Sequence, residues 1–152
     1  MDEGKGALIR VSGVWPVVPV IFLGVTACSL VNDEVDENAE QVYGRNWVAA
    51  EVAGQPVAPD VESSLVIASD GKVSGHAGCN GYFGSAILDG EAMSFGNLGS
   101  TRMACPEPAM GQEDRLLRAL DSTRGYLLKD EMLLLLDGSG VTVVRFRLSE
   151  GT

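Results

Sequence analysis

LVIASDGKVSGHAGCNGYFGSAILDGEAMSF, residues 65–95, contains two predicted β-hairpins. In the first, the apolar run 65–67 and the alternating run 72–74 flank the dipeptide Asp70-Gly71. In the second, residues 82–88 and 91–95 flank a second Asp-Gly dipeptide. Asp-Gly suits the positive φ angles of a two-residue hairpin turn, so each dipeptide predicts two neighbouring antiparallel strands.

Further strand-like runs lie on both sides of these hairpins, at residues 47–52, 126–129, 132–136 and 141–148. The connections between neighbouring runs are short, whereas parallel pairing needs crossovers of a dozen or more residues. The glycines of GHAGCNGYFG permit sharp bends. We therefore predict a strongly curved antiparallel β-sheet or partial barrel of about seven or eight strands.

One amphipathic helix is predicted at about residues 106–122. The segment has an apolar stripe at helical spacing, formed by Met110, Leu116, Leu117 and Leu120. Pro106 lies near its start and Gly125 just past its end, as helix termini favour. Packed on the concave face of the sheet, this helix makes the predicted fold class α+β.

The composition limits the classes of partner. The 152 residues suffice for one domain and an appendage, and acidic residues outnumber basic ones by 21 to 11, giving a formal charge of -10. Such a surface repels phosphate backbones, so we expect no nucleic-acid partner.

The first 27 residues are predicted to be a signal peptide. Lys5 and Arg10 precede the uncharged run VSGVWPVVPVIFLGVTA, which ends directly before Cys28. Val-Thr-Ala-Cys at residues 25–28 is similar to a bacterial lipobox, which predicts acylation of Cys28 and a lipid-anchored protein of the cell membrane or outer membrane. An ordinary secretory signal or an uncleaved anchor is the alternative.

The acidic stretch that follows is predicted to be a solvated tether. Residues 28–44 are dense in Asp and Glu and contain few large apolar groups, so they do not favour independent folding. A short helix docked on the domain is the alternative. The domain itself is predicted at residues 45–149.

Two motifs in this order resemble the META domain, or HslJ-like, family: SGHAGCNGYFGSA at residues 74–86 and TRMACPEPAM at residues 101–110. An early Trp47, Glu113 in the helix and the aromatic Tyr126 agree with the same pattern. The resemblance covers residues 45–148. It implies a small, mostly β domain with one helix, found in envelope lipoproteins and associated in some members with stress responses, without an established catalytic activity.

The remaining cysteines, Cys79 and Cys105, are expected in an oxidising compartment, where a disulfide can persist. Two buried free thiols are the alternative. No metal site is expected, because zinc favours about four ligands and the domain offers one histidine, His76, beside two separated cysteines. His76 is also the sole imidazole available for a nucleophile, so we expect no enzyme, no cofactor and a hydrogen-bonded or solvated side chain at a strand end.

Asn80, Thr101 and Arg102 are the polar residues singled out within the two motifs. In a structural role, Asn80 bonds the bent backbone and Arg102 pairs with a carboxylate near the start of the helix. In a functional role, the three residues form an interaction rim beside the two cysteines.

Three functions follow from these features. The first is a non-catalytic module that contacts another envelope protein under stress. The second is a pocket for an apolar or amphipathic small molecule, lined by the aromatic residues Trp47, Tyr82, Phe83 and Phe95. The third and weakest is an envelope-acting enzyme dependent on His76.

Overall fold

The computed structural model describes residues 37–150, which form nine strands and two helices. The strands are β1 (Trp47–Val52), β2 (Gln55–Pro56), β3 (Ser64–Ile67), β4 (Lys72–His76), β5 (Gly81–Asp89), β6 (Ala92–Ser100), β7 (Thr123–Lys129), β8 (Met132–Asp137) and β9 (Thr142–Leu148). The helices are α1 (Glu37–Val42) and α2 (Ala109–Ser122).

Eight strands form a closed antiparallel barrel in the order β1-β3-β4-β5-β6-β7-β8-β9, and β9 pairs back with β1. The two-residue strand β2 pairs with the end of β1. The prediction of a strongly curved antiparallel sheet with a packed helix is confirmed. The curvature continues to full closure, because β1 contacts both β3 and β9.

Both Asp-Gly hairpins are present. Gly71 and Gly90 adopt φ angles of 79° and 58°, which glycine reaches without steric cost. The second hairpin is longer than predicted, because β6 continues past Phe95 to Ser100. The added residues contain two glycines and no alternation of apolar and polar residues, so the periodic signal ends before the pairing with β5 does.

The core fills the barrel from alternate positions of the strands. Its largest fully buried side chains on strands are those of Trp47, Val52, Leu65, Ile67, Met93, Leu133, Leu135 and Phe146. Helix α2 packs against β1, β6, β8 and β9 and adds Leu116 and Leu120 to the same cluster.

Helix α2 begins at Ala109 and ends at Ser122, so its predicted end is at the observed position. The chain enters β7 at the next residue, Thr123, whose ψ angle is 133°. Gly125 lies just past the helix, as predicted, and is a strand residue paired with Leu136.

Helix α1 corrects the predicted tether for residues 37–44. Ala39 and Val42 lie three positions apart on one helix face and are both buried, and Val42 belongs to the core cluster. The Trp47 indole Nε1 donates a hydrogen bond of 3.0 Å to the Val42 carbonyl. The docked helix is thus the arrangement adopted here, since two apolar residues among acidic ones suffice to cover the adjoining core.

The predicted signal peptide, the lipidation site Cys28 and the first part of the predicted tether lie outside the described residues. Neither α1 nor α2 is long and apolar enough to cross a membrane.

Candidate functional site

The two recognition motifs meet where β4 turns into β5. Asn80, at the end of this turn, is 2% exposed. Its side-chain Oδ1 accepts hydrogen bonds from the Thr101 hydroxyl (2.8 Å) and from the Met103 main-chain N–H (2.7 Å). Its Nδ2 donates to the Met103 carbonyl at 3.1 Å. One asparagine therefore fixes the extended segment that leads into α2.

Glu113 on α2 completes this polar cluster from the other side. Its side-chain Oε2 accepts from the main-chain N–H of Asn80 at 2.9 Å and from Asn80 Nδ2 at 3.0 Å, and its Oε1 lies 3.1 Å from the same Nδ2. Glu113 is 8% exposed. Both carboxylate oxygens are used in holding the turn against the helix, which is a structural use of a buried acid.

A disulfide joins the same two segments. The Cys79 and Cys105 sulfurs are bonded, with the two Cα atoms 5.8 Å apart. Cys79 is buried beside Asn80. The cystine and the Asn80 hydrogen bonds thus fasten the segment before α2 to the β4–β5 turn at adjacent points.

Of the three proposed rim residues, the structure brings two together. Thr101 bonds Asn80, but Arg102 is exposed and makes no ion pair with a carboxylate of residues 37–150. This corrects the expectation that Arg102 fixes the start of the helix. Asn80 and Glu113 have that role instead.

Helix α2 also buries Gln112, which sequence analysis did not single out. Gln112 Nε2 lies 3.4 Å from the Ser63 hydroxyl, and its Oε1 accepts from Arg115 Nη2 at 2.8 Å. Its spacing was the available signal, because Gln112 precedes the buried Leu116 by one helical turn and so shares its face.

His76 is the last residue of β4 and is partly buried. Its ring Nδ1 lies 3.3 Å from the Glu62 carbonyl oxygen and 3.4 Å from the Gly78 main-chain nitrogen. The Ser64 hydroxyl oxygen accepts a hydrogen bond from the His76 main-chain N–H and not from the ring. In the part of the chain that the structure describes, no hydroxyl, thiol or carboxylate is hydrogen-bonded to this imidazole.

The four aromatic residues predicted to line a pocket do not share one. Trp47 and Tyr82 are core residues, and the Tyr82 hydroxyl donates to the Ser64 carbonyl at 2.8 Å. Burial raises the pKa of the Tyr82 phenol above its usual range. Phe83 is 60% exposed on the outer face, whereas Phe95 packs against the core.

Phe95 does line a cleft between α2 and β6, with a volume of about 330 Å³. The cleft residues are Phe95, Asn97, Leu98, Gly99, Ser100, Leu117, Arg118 and Asp121. The cleft exists because β7 pairs with β6 at one position, Ala92↔Gly125, while α2 lies beside the rest of the strand.

No group of three or more His, Cys, Asp or Glu side chains within residues 37–150 is placed to hold a metal ion. The buried Glu113 carboxylate bonds the main-chain and side-chain amides of Asn80 instead.

The closed barrel, the cystine and the buried Asn80–Glu113 pair together define a small β-barrel domain with one helix fastened to a single inter-strand turn. Residues 40–150 match the model of the META domain, and the chain belongs to that family. A comparison with curated proteins gave no match.

Solved structures share the fold. An NMR structure of a protein from Burkholderia xenovorans is 30% identical, with a TM-score of 0.59 over 74% of this chain and 86% of that one. A crystal structure of a DUF4847 family protein from Bacteroides vulgatus ATCC 8482 has a TM-score of 0.60 at 15% identity, over 76% of this chain and 99% of that one. At that identity the second similarity shows the fold alone.

Proposed function

We propose that the chain is a cell-envelope lipoprotein whose META domain is a non-catalytic module that contacts another envelope protein under stress. The proposal rests on the structural role of the motif residues. Asn80, Thr101 and Glu113 bond one another or the adjoining main chain, so the motifs that identify the domain build its frame.

The same observation argues against an enzyme. General acid-base work needs a titratable group within reach of a substrate proton. Both Glu113 oxygens are occupied by Asn80, and the His76 ring lies beside main-chain groups at the end of β4. The envelope-acting enzyme remains the weakest of the three candidates.

The sequence before Cys28 supports a lipid anchor. The uncharged run before Cys28 and the residues Val-Thr-Ala preceding it suit a lipoprotein leader. Two or more acyl chains hold a protein firmly, since each buried methylene contributes about 0.8 kcal/mol. The stress association rests on the family resemblance.

Metabolic labelling tests the anchor. Cells of the native host expressing the full chain are fed an alkyne fatty acid, with Cys28→Ser as the matched control. We expect label and membrane fractionation for the wild-type chain and neither for Cys28→Ser. An unlabelled wild-type chain would contradict the lipoprotein part of the proposal.

In-cell photo-crosslinking tests the interaction. A photoreactive amino acid is placed in the full chain at one of three exposed positions on different elements, Ile87, Asn97 or Val141. We expect at least one position to give a discrete adduct with another polypeptide after irradiation. Absence of an adduct from every position would contradict the interaction module.

The second candidate, an apolar-ligand site, is favoured by the cleft beside Phe95. Titration of the full chain in lipid nanodiscs with a fluorescent fatty acid tests it, with Leu98→Asp as the cleft variant. We expect saturable binding that Leu98→Asp removes if this candidate is correct. Binding that is equal in both proteins would place the probe in the nanodisc and reject the candidate.

A further inference from the structure

We infer that the partner binds as an added β-strand: an extended segment with alternating apolar residues and a Lys or Arg pairs with β6 in the cleft beside α2. This inference rests on the proposed interaction function and names its site and the chemistry of its partner.

The unpartnered side of β6 is the first observation. Strand β6 pairs with β5 from Ala92 to Ser100, but on its other side β7 pairs with Ala92 alone. Beside this pair, the Glu91 carbonyl accepts a hydrogen bond from the Tyr126 N–H at 3.0 Å. Within the described part of the chain, no strand lies opposite residues 94–100 on this side, so their outward main-chain groups form a free edge.

The walls of the cleft are the second observation. Phe95 and Leu98 on β6 face Leu117 on α2, and all three are partly buried and packed against the core. An added strand presents every second side chain to the same face. A segment paired with β6 would therefore place alternate apolar residues against this wall while its main chain bonds the free edge.

A polypeptide suits the cleft better than an acyl chain does. An acyl chain would cover the free N–H and C=O groups without bonding them, and a buried unsatisfied polar group costs about 1–3 kcal/mol. An extended peptide supplies partners for those groups, which is the basis of recognition by strand addition.

The edge of β6 lacks two of the three features that usually block the addition of a strand. Exposed strand edges are commonly protected by charged side chains, by proline or by bulges. Residues 94–100 read SFGNLGS and contain neither a charge nor a proline. The third device, a bulge, is present at Asn97, which has a φ angle of 52° and lies where the β5–β6 register shifts. Pairing is therefore expected in two short runs on either side of Asn97.

The charge of the cleft selects the partner's polar residue. Arg118 is ion-paired with Asp114 on the same helix. The Asp121 carboxylate lines the cleft and forms no ion pair with any cation of residues 37–150. Because Arg118 is already paired with Asp114, the Asp121 carboxylate is the cleft charge that a Lys or Arg on the bound segment can complement.

A peptide selection tests the inference. Random twelve-residue peptides displayed on phage are selected on the full chain in lipid nanodiscs, and synthetic copies of the enriched peptides are titrated. We expect enrichment of alternating apolar sequences containing Lys or Arg, and amide shifts at residues 94–100 in NMR spectra. Failure to enrich any peptide, or amide shifts confined to other strands, would overturn the inference.

Matched variants test the two kinds of contact separately. N-methylation of the edge-facing peptide amides should weaken binding about tenfold, because it removes one or two main-chain hydrogen bonds. Asp121→Asn should weaken the cationic peptides about three- to tenfold, while Glu40→Lys on α1 should leave their affinity within about twofold. Equal binding of the methylated peptide would overturn the inference even if every variant folds.

The crosslinking positions separate this inference from the proposed function. Adducts at Asn97 support both. Adducts at Ile87 or Val141 without one at Asn97 keep the interaction function and reject the β6 edge, whereas no adduct at any position rejects the interaction function itself.

Discussion

At the scale of single residues, the Asn80–Glu113 pair shows how a buried acid is held in this fold. The donors that face Glu113 are the main-chain N–H and the side-chain amide of Asn80, and the asparagine oxygen is left for Thr101 and Met103. Donors and acceptors match at each contact. A substitution that reverses one of them leaves a polar group unpaired in a buried place.

Glu113→Gln is therefore expected to destabilise the domain. Glutamine has one acceptor oxygen, so its amide would face the Asn80 amide donor-to-donor, at a cost of about 1–3 kcal/mol. Chemical denaturation of the full chain in detergent measures the change, and exposed Glu40→Gln should stay within about 0.5 kcal/mol. Equal stability of the two variants would show that the pair contributes nothing.

Asp137 predicts a pH dependence. The hydrogen bond from the Ser139 hydroxyl, with those from the Val141 and Ser139 N–H groups, holds the pKa of Asp137 below its usual 3.8. A carboxyl group whose pKa is lower in the folded state stabilises the fold at pH values above its unfolded-state pKa. This stabilisation is lost as the pH falls through the folded-state pKa. We expect Asp137→Asn to lower the Tm at pH 7, with a difference that narrows below pH 3.8.

Thermal unfolding at a series of pH values measures this difference, and Ser139→Ala is the matched variant. It removes the principal donor, so the pKa of Asp137 should rise toward 3.8 in an NMR titration. A Tm difference that does not change with pH would contradict the assignment.

At the scale of elements, the β4–β5 hairpin depends on the close packing of neighbouring strands against Gly75. A Cβ atom there would lie 2.1 Å from the Ser64 carbonyl oxygen and 2.7 Å from the Tyr82 ring. The Ser64 contact is with the backbone of β3, and the Tyr82 ring is buried and held by its hydroxyl hydrogen bond, so neither contact is easily relieved. At Gly81 the nearest atom would be 3.7 Å away, an ordinary contact.

Gly75→Ala should accordingly lower the free energy of unfolding by about 1–3 kcal/mol or more, as overpacked cores do. Gly81→Ala on the next strand is the matched control and should change it by no more than about 0.5 kcal/mol. Denaturant titration compares the two. Similar losses for both variants would mean that strand propensity, and not the close approach, limits the hairpin.

The cystine joins two elements that are 26 residues apart in the chain. Closing such a loop restricts the unfolded chain and is expected to stabilise the fold by about 3–4 kcal/mol. Reductant should lower the Tm of the wild-type chain, and the double variant Cys79→Ala/Cys105→Ala should melt lower and be insensitive to reductant. An unchanged wild-type Tm on complete reduction would contradict this.

At the scale of the whole molecule, β1 and β9 close the barrel and α1 covers core residues beside β1. The main-chain N–H of Gly44 donates to the Ile67 carbonyl at 2.8 Å, so the chain is tied to β3 directly after the helix. The folded domain thus includes α1, which the acidic composition of that segment concealed.

Val42→Ala tests whether α1 is part of the cooperative fold. Removing two buried methyl groups should destabilise it by about 2 kcal/mol. Glu40→Ala, on the exposed face of the same helix, should change the free energy of unfolding by less than about 0.5 kcal/mol. If α1 frays independently of the barrel, Val42→Ala will change the free energy of unfolding, measured with denaturant, as little as Glu40→Ala does.

The hairpin at Asp70-Gly71 and the end of α2 were predictable, because turn chemistry and helical periodicity act over a few residues. The burial of Gln112 and Glu113 was not inferred, since both are polar positions on an otherwise apolar face and their partners come from distant segments.

By itself, the sequence determined the antiparallel hairpins, one helix that ends at residue 122 and membership of the META family, since each depends on local patterns. Only the tertiary structure decided the closure of β1 onto β9, the docking of α1, the Asn80–Glu113 pair and the free edge of β6. Those features depend on how residues far apart in the chain are arranged. A local sequence pattern does not show which distant group will bond a given backbone group or carboxylate.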